Sequence, residues 1–480
     1  MMNARSMIRT VAVKEIREII RDGRLRLLGG IVVLLTLAAL AFGVQQTELA
    51  EHQREHAQER AEQQWQGQGK KNPHVAAHYG THIFAPTSVA TAIDPGVSAY
   101  MGRSVKAEAH KRNLASHSAA EDGGALSRMG SFSVATVLLQ LVPLLIIALG
   151  YGLWSLERER GTLRQVMSTG VDRRHLFWGK AIALAIVLSA LLLPAALIVL
   201  GTLTLLVGGG ADTVIRLATM TLSYGLYFTI FGSLTLWVSA QTTSSRASLV
   251  VMIGIWVLFC LVLPRGATEV AVSTSPLPSQ SEVTRNIQKS LEKGIDGQSD
   301  REEEVEKRIS ALMAEQGIEN AGLMISPAIL NGIELQAEAM WEDEMFNHHV
   351  DHLEDQITAQ EQHISWGGLL SPYIAMRTLS SGLSGTDYAH HRHFTTAVEE
   401  WRKSFVTYLN VSFAENAGTE GWNYQADPQV WKNAPAFTYT PPTIHFALQN
   451  NLLSLLSLLL WTLITVTIAS WSANRIKVSG

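Results

Sequence analysis

Six long blocks of this chain contain no Asp, Glu, Lys, Arg or His: 27–44, 132–154, 181–207, 217–239, 247–263 and 452–471. A bilayer core takes about 20 apolar residues as a helix. Backbone in lipid must satisfy its own hydrogen bonds, so each block is expected to be helical. A large soluble protein with buried helices is the competing reading. Soluble core helices rarely run this long without a charge. Pro143 and Pro194 are expected to kink the second and third spans. The fold class predicted is an all-α integral membrane protein with six transmembrane helices.

The first block could be a signal sequence, since a basic leader precedes it and Ala39-Leu40-Ala41 resembles a cleavage site. The leader is too long for that and is itself patterned. Ile8, Ala12, Ile16 and Ile19 recur at helical spacing, with Arg9, Lys14, Arg17, Arg21 and Arg24 mostly off that stripe. Residues 1–26 therefore read as an amphipathic helix lying on membrane lipid, followed by an uncleaved anchor.

Lys and Arg in short loops set orientation. They crowd residues 1–26 and the loop 155–180, with Arg246, Arg475 and Lys477 following the same parity. Only Arg216 stands in the short loop after the third span. Both termini, and the 472–480 tail, are thus expected in the cytoplasm. Two large regions, 45–131 and 264–451, are left outside. Residues 47–66 are expected to prolong the first span as a solvated helix, broken near 67–72. Helices are expected over 281–316, interrupted near 294–299, and over 328–363, where Phe346, Val350, Leu353 and Ile357 share a face. Without visible period-2 alternation, both regions read as mainly helical.

The net charge is −4, so no global basic field for nucleic acid exists. Cys260 is the only cysteine, which excludes a disulfide within one chain. The sequence lacks a G-x-x-x-x-G-K-[ST] loop, H-E-x-x-H, G-x-S-x-G and C-x-x-C. ATP hydrolysis by this chain, and the usual hydrolase chemistries, are not expected. Uncharged spans lack the carriers of an ion relay, as suits a machine powered from outside the membrane.

Of 16 histidines, only His175 falls in a cytoplasmic loop. His74, His78 and His82 follow i, i+4, i+8 spacing. His348, His349 and His352 form a second group, and His390, His391 and His393 a third. Imidazoles so spaced can ligate Zn, Cu or Ni, and equally serve as caps or solvated surface. Gly80 weakens a single helix over 74–82. No bound metal is assigned; the candidate ligands, should one bind, are His74, His78 and His110.

The loop 155–180 is the most informative short stretch. Its charged cluster runs into Gly161, which can end a helix. Thr162 can cap a new one through residues 165–167, Gly170 can end it, and Asp172 can start the next. A short exposed helix between two spans suits docking of a cytosolic partner. An ordinary positive-inside loop is the plain alternative.

Residues 157–179 resemble the E-R-E-x-G-T-L loop of ABC-2 type transporter permeases. Val13-Lys14-Glu15-Ile16-Arg17-Glu18-Ile19-Ile20-Arg21-Asp22-Gly23-Arg24 resembles that family's elbow helix before the first span. The resemblance covers the whole membrane portion. It implies a type V exporter-like fold and an ATPase-coupling helix at Glu157, Arg158, Glu159, Arg160, Gly161, Thr162 and Leu163, with Lys14, Glu15, Arg17, Arg21 and Asp22 in the elbow. The outer segments are similar to a branch with a DUF3526-type region. Asn72-Pro73-His74-Val75-Ala76-Ala77-His78-Tyr79-Gly80-Thr81 is the most specific string. Asp94-Pro95-Gly96-Val97, Glu108-Ala109-His110, Pro264-Arg265, Ser384-Gly385-Thr386-Asp387 and His390-His391-Arg392-His393-Phe394 extend it. Implied are a bacterial inner-membrane permease with periplasmic outer regions, a dimer with a second copy or paralogue, and ATP–Mg held by separate ATPase subunits. No catalytic residue and no cofactor of this chain is implied. The expected function is thus the permease of an ATP-driven transporter, taken as an exporter. The alternatives are a membrane-anchored receptor or maturation factor without an ATPase, and a metal-handling enzyme using the outer histidines. A periplasmic partner fits either of the first two.

Overall fold

The computed structural model describes residues 4–122, 132–206, 210–318 and 326–473. The start of the 1–26 leader, the end of the expected third span at Val207, parts of both outer regions and the basic tail lie outside these residues. The described residues are 78% helical. Six helices among the described residues are long and apolar enough to cross a membrane.

The first of these runs Leu25–Gln66, 42 residues. At about 1.5 Å per residue it reaches roughly 60 Å, twice the bilayer core. Its polar second half therefore projects beyond the apolar layer, as the Glu, Gln and Arg content of 47–66 predicts. The elbow helix, Ala4–Arg21, precedes it and turns into it at Gly23, whose φ of 81° favours glycine.

The two prolines expected to kink the spans sit in different settings. Helix Arg173–Leu206 runs unbroken across Pro194. In the second span a π-helical turn, Val137–Leu141, leads into Val142–Gly150, with Pro143 in its first turn. The fifth span repeats the device, with a π turn at Leu258–Val262 before Pro264. Proline removes an amide donor and frees a carbonyl one turn back. Side chains from other elements bond carbonyls of these turns. Tyr227 Oη donates to Leu139 O at 2.9 Å, Trp256 Nε1 to Gln140 O at 3.1 Å, and Ser371 Oγ to Phe259 O at 2.7 Å. The fifth span consequently does not end at Leu263 but continues as Leu263–Thr274.

The two outer regions form one head. Helix outweighs strand in the first, as expected, but it also carries a three-stranded antiparallel sheet, β1 (Thr81–Phe84), β2 (Ser104–Glu108) and β3 (Lys111–Arg112). Its strands are too short for alternation to show in sequence, yet Ile83, Val105 and Ala107 are buried. The sheet packs against helices from the second region, Pro327–Trp366 and Tyr388–Asn416. Arg112 Nη1 reaches Asp351 at 2.7 Å, and Nη2 reaches Glu354 at 3.4 Å. Arg402, 2% exposed, binds Glu399, Asp343 and the Glu108 carbonyl. Trp65, at the far end of the first helix, packs on Phe405 and Trp431.

Head and spans meet at helix Pro372–Ser384, too short to cross a bilayer and invisible as a separate unit in the sequence. Its Ile374, Met376, Leu379 and Leu383 join the same core as the spans. Arg216, at the head end of the fourth span, locks the joint. It donates to the Pro442 carbonyl at 2.6 Å and the Leu383 carbonyl at 3.3 Å, and pairs with Asp212 at 2.6 Å.

Candidate functional site

At the end of the bundle away from the head, the loop 155–180 folds largely as its residues predict. A clamp helix, Ser155–Glu159, stops at Gly161, whose φ is 72°. A tip helix, Thr162–Ser168, follows. Gly170 is again left-handed, and Asp172 Oδ1 accepts the Arg174 amide at 2.8 Å at the start of the third span. One detail differs. Gly161 occupies the cap position of the tip helix, and the Thr162 hydroxyl instead donates back to the Glu157 carbonyl at 3.2 Å. It satisfies an orphan acceptor of the helix that ends, not a donor of the one that begins.

The three charged residues of the clamp, of which Glu159 is itself exposed, each bond to neighbouring helices. Glu157 takes Lys14 of the elbow at 2.6 Å and Lys180 of the third span at 3.0 Å. Arg158 donates to the Ala240 carbonyl at 2.7 Å and to the Thr242 carbonyl, closing the C-terminal end of the fourth span. Glu159 accepts the Ser245 amide at 3.0 Å and its hydroxyl at 2.7 Å, at the N-terminal end of the fifth span. Ser239 Oγ accepts the Trp154 and Ser155 amides. Five residues thus tie one short helix to four long ones.

Lys180 is the centre of this joint and has 0% exposure. It bonds Glu15 at 2.6 Å and lies 5.2 Å from the centroid of the buried Trp154 ring. Sequence reading placed Lys180 only as the end of a loop. The signal was present: Glu15 stands on the apolar stripe between Ala12 and Ile19, where an acid needs a buried cation. Burial disfavours the Lys14 charge, but Glu15 and Glu157 outweigh it and hold its pKa above the ordinary lysine value. Gly179 lets the elbow approach, since a Cβ there would lie 2.5 Å from Val11 Cβ.

Other expected residues face solvent. Arg17, Arg21 and Asp22 are exposed, with Asp22 paired to Arg24. Arg160, Gly161 and Thr162 are exposed as well, whereas Leu163 is fully buried and anchors the tip helix. The outward face is completed by Arg164, Gln165 and Ser168.

In the head, the expected histidine row divides. Helix Pro73–Tyr79 carries His74 and His78 and ends at Gly80, while His82 sits on β1 and pairs with Lys106. The turn between β2 and β3 brings in His110 instead. His74, His78 and His110 offer ring nitrogens all within 4.8 Å of one another. Burial, then His78 and His110, push the His74 pKa down to about 4. The hydrogen bond that His110 donates to the Glu342 carboxylate holds its pKa above the ordinary histidine value. The other groups have separate partners: His349 bonds Ser290, His390 bonds Asp387, and His393 bonds Tyr439.

Two spaces adjoin the spans. A 1070 Å³ cavity at the head joint is lined by Asp94, Gln140, Glu361, Arg377, Asp387 and Arg392. Burial raises the Asp94 and Glu361 pKa values. A 410 Å³ apolar groove runs along the third and fourth spans, past Phe177, Leu188, Met220 and Phe228.

Six spanning-length helices, an amphipathic helix laid against their base and a hairpin of short helices between the second and third spans define a multi-pass membrane transport protein. The chain belongs to the family described as ABC-2 family transporter protein, which matches residues 9–475. It is the permease component of an ABC transporter and not itself an enzyme, and permeases of this family generally work with an ABC ATPase partner. No curated protein matches the sequence significantly.

Proposed function

We propose that this chain is the permease subunit of an ATP-driven exporter, docked to a separate ATPase through the tip helix Thr162–Ser168. It would span a bacterial inner membrane with both termini cytoplasmic and the head in the periplasm, paired with a second copy or a paralogue. The head strings quoted above support placing it in the DUF3526-type branch. Closure of the nucleotide-loaded ATPase pushes the exposed face of Thr162, Arg164 and Gln165. Leu163 and the clamp pass that displacement to the elbow and to three spans at once. The single observation that carries this reading is a division of labour across Gly161: Glu157, Arg158 and Glu159 before it are spent on contacts within the chain, while Arg164, Gln165 and Ser168 after it face outward.

Cargo leaves through the space where spans and head meet. An apolar groove leading toward a cavity lined by Asp94, Arg377 and Arg392 suits an amphiphilic molecule better than a bare ion. Arg164→Glu tests the docking face. It lies outside every internal contact described above, so thermal unfolding in detergent should stay unchanged, while ATPase recovered with the tagged permease falls at least tenfold. Undiminished recovery would remove the tip helix from the interface.

A further inference from the structure

The head holds a second chemistry that the transport cycle does not use. His74 and His78 stand one turn apart on helix Pro73–Tyr79, with their Nε2 atoms 3.0 Å apart. Zinc–imidazole bonds of about 2.0–2.1 Å at tetrahedral angles put neighbouring nitrogens about 3.3 Å apart. His110 completes the triangle, with ring centroids 4.7 Å from His78 and 5.2 Å from His74. Its Nδ1 faces Glu342, which leaves Nε2 as its ligating atom. A carboxylate behind a metal-binding imidazole fixes its tautomer and strengthens it as a donor.

The backbone is arranged for this meeting. His110 has φ 63°, a left-handed conformation that few non-glycine residues adopt. Asn72 Oδ1 caps the helix by accepting the His74 amide at 2.9 Å, with Pro73 in the first turn. The Ala109 amide donates to the Ala77 carbonyl at 2.9 Å, which stitches the hairpin to the helix. Gly80 permits the approach, since a Cβ there would lie 2.0 Å from the Ala107 carbonyl oxygen. The only hydrogen-bond contact of His74 Nε2 is the Nε2 of another imidazole, which leaves that atom to ligate, while the ring's Nδ1 is buried without a hydrogen-bond partner. His78 is exposed, so an ion could enter and keep an open position.

We propose that His74, His78 and His110 bind one borderline divalent metal ion of the Zn(II), Cu(II) or Ni(II) class, with Glu342 as the carboxylate behind His110. Three imidazoles without a thiolate or a carboxylate ligand favour these ions over Mg or Ca. Bound metal would fasten the Pro73–Tyr79 helix and the β2–β3 turn to helix Pro327–Trp366. A fourth coordination position faces solvent.

The probe is Zn(II) added to the full-length permease in detergent after stripping with chelator, followed by dialysis to remove unbound metal. Wild type should retain one equivalent by elemental analysis, and added Zn(II) should raise its unfolding temperature. His78→Gln, at an exposed position, and His110→Asn, which tolerates the left-handed backbone, should each weaken binding at least tenfold. His352→Gln, on the exposed surface elsewhere in the head, should bind as wild type does. Absence of stoichiometric zinc from wild type, or its retention by both site variants, would overturn the assignment.

Discussion

The joint beneath the spans and the histidine triangle in the head both gather ionisable groups from distant parts of the chain, yet they are built oppositely. Lys180, Glu15, Glu157 and Lys14 answer one another within about one hydrogen-bond length, and Arg158 and Glu159 cap helix ends. Nothing is left for an outside ligand. The triangle leaves His74 Nδ1 unsatisfied and turns two Nε2 atoms toward each other. A closed network transmits force because no member can move alone. An open one receives a ligand because its members lack partners. The same residue types are thus closed on one another at one end of the molecule and left open at the other.

Breaking the closed network should have the larger effect. Lys180→Met leaves Glu15 and Glu157 buried beside one another with only Lys14 between them, and removing one partner of a buried ion pair typically costs about 3–5 kcal/mol. We expect a matching loss of stability in thermal unfolding, together with loosening of the elbow seen as faster proteolysis near Arg21. An unfolding midpoint equal to wild type would show that the network carries no load. Gly80→Ala attacks the other end more locally. The new methyl group meets the Ala107 carbonyl at a left-handed φ, for a cost of order 1–3 kcal/mol. Hydrogen exchange should rise in residues 73–112 and stay level in the spans. A uniform rise throughout the chain would mean that head and bundle are not separable as described.

The two ends also differ in how far the sequence revealed them. Six uncharged blocks made the spans plain, because lipid imposes one periodicity and a length. Gly161, Gly170 and Asp172 marked the tip helix, because turns and caps are local chemistry. The direction of Glu157, Arg158 and Glu159 was not legible. A charged triplet on a short helix reads as a docking surface until Lys180, Ser239 and Ser245 are seen beside it. In the head, spacing suggested His82 as third member of a row. Gly80 ended the helix, and a two-residue β turn placed His110, already among the candidate ligands, beside His74 and His78 in its stead. Strands of two to five residues give period-2 pairing no room to register. Helix Pro372–Ser384 was hidden for a different reason: at 13 residues it is too short for a spanning signal, although its apolar side chains share the core of the spans.

The central claim is that the tip helix is the point where ATP-driven motion enters. A photoreactive residue in place of Gln165 in the intact transporter, illuminated in inverted membrane vesicles, tests it most directly. The account predicts a covalent adduct with the nucleotide-hydrolysing subunit that intensifies or weakens when ATP is trapped on it. Modification of position 165 only from the outer face of sealed cells, or active transport with no adduct in any nucleotide state, would contradict it.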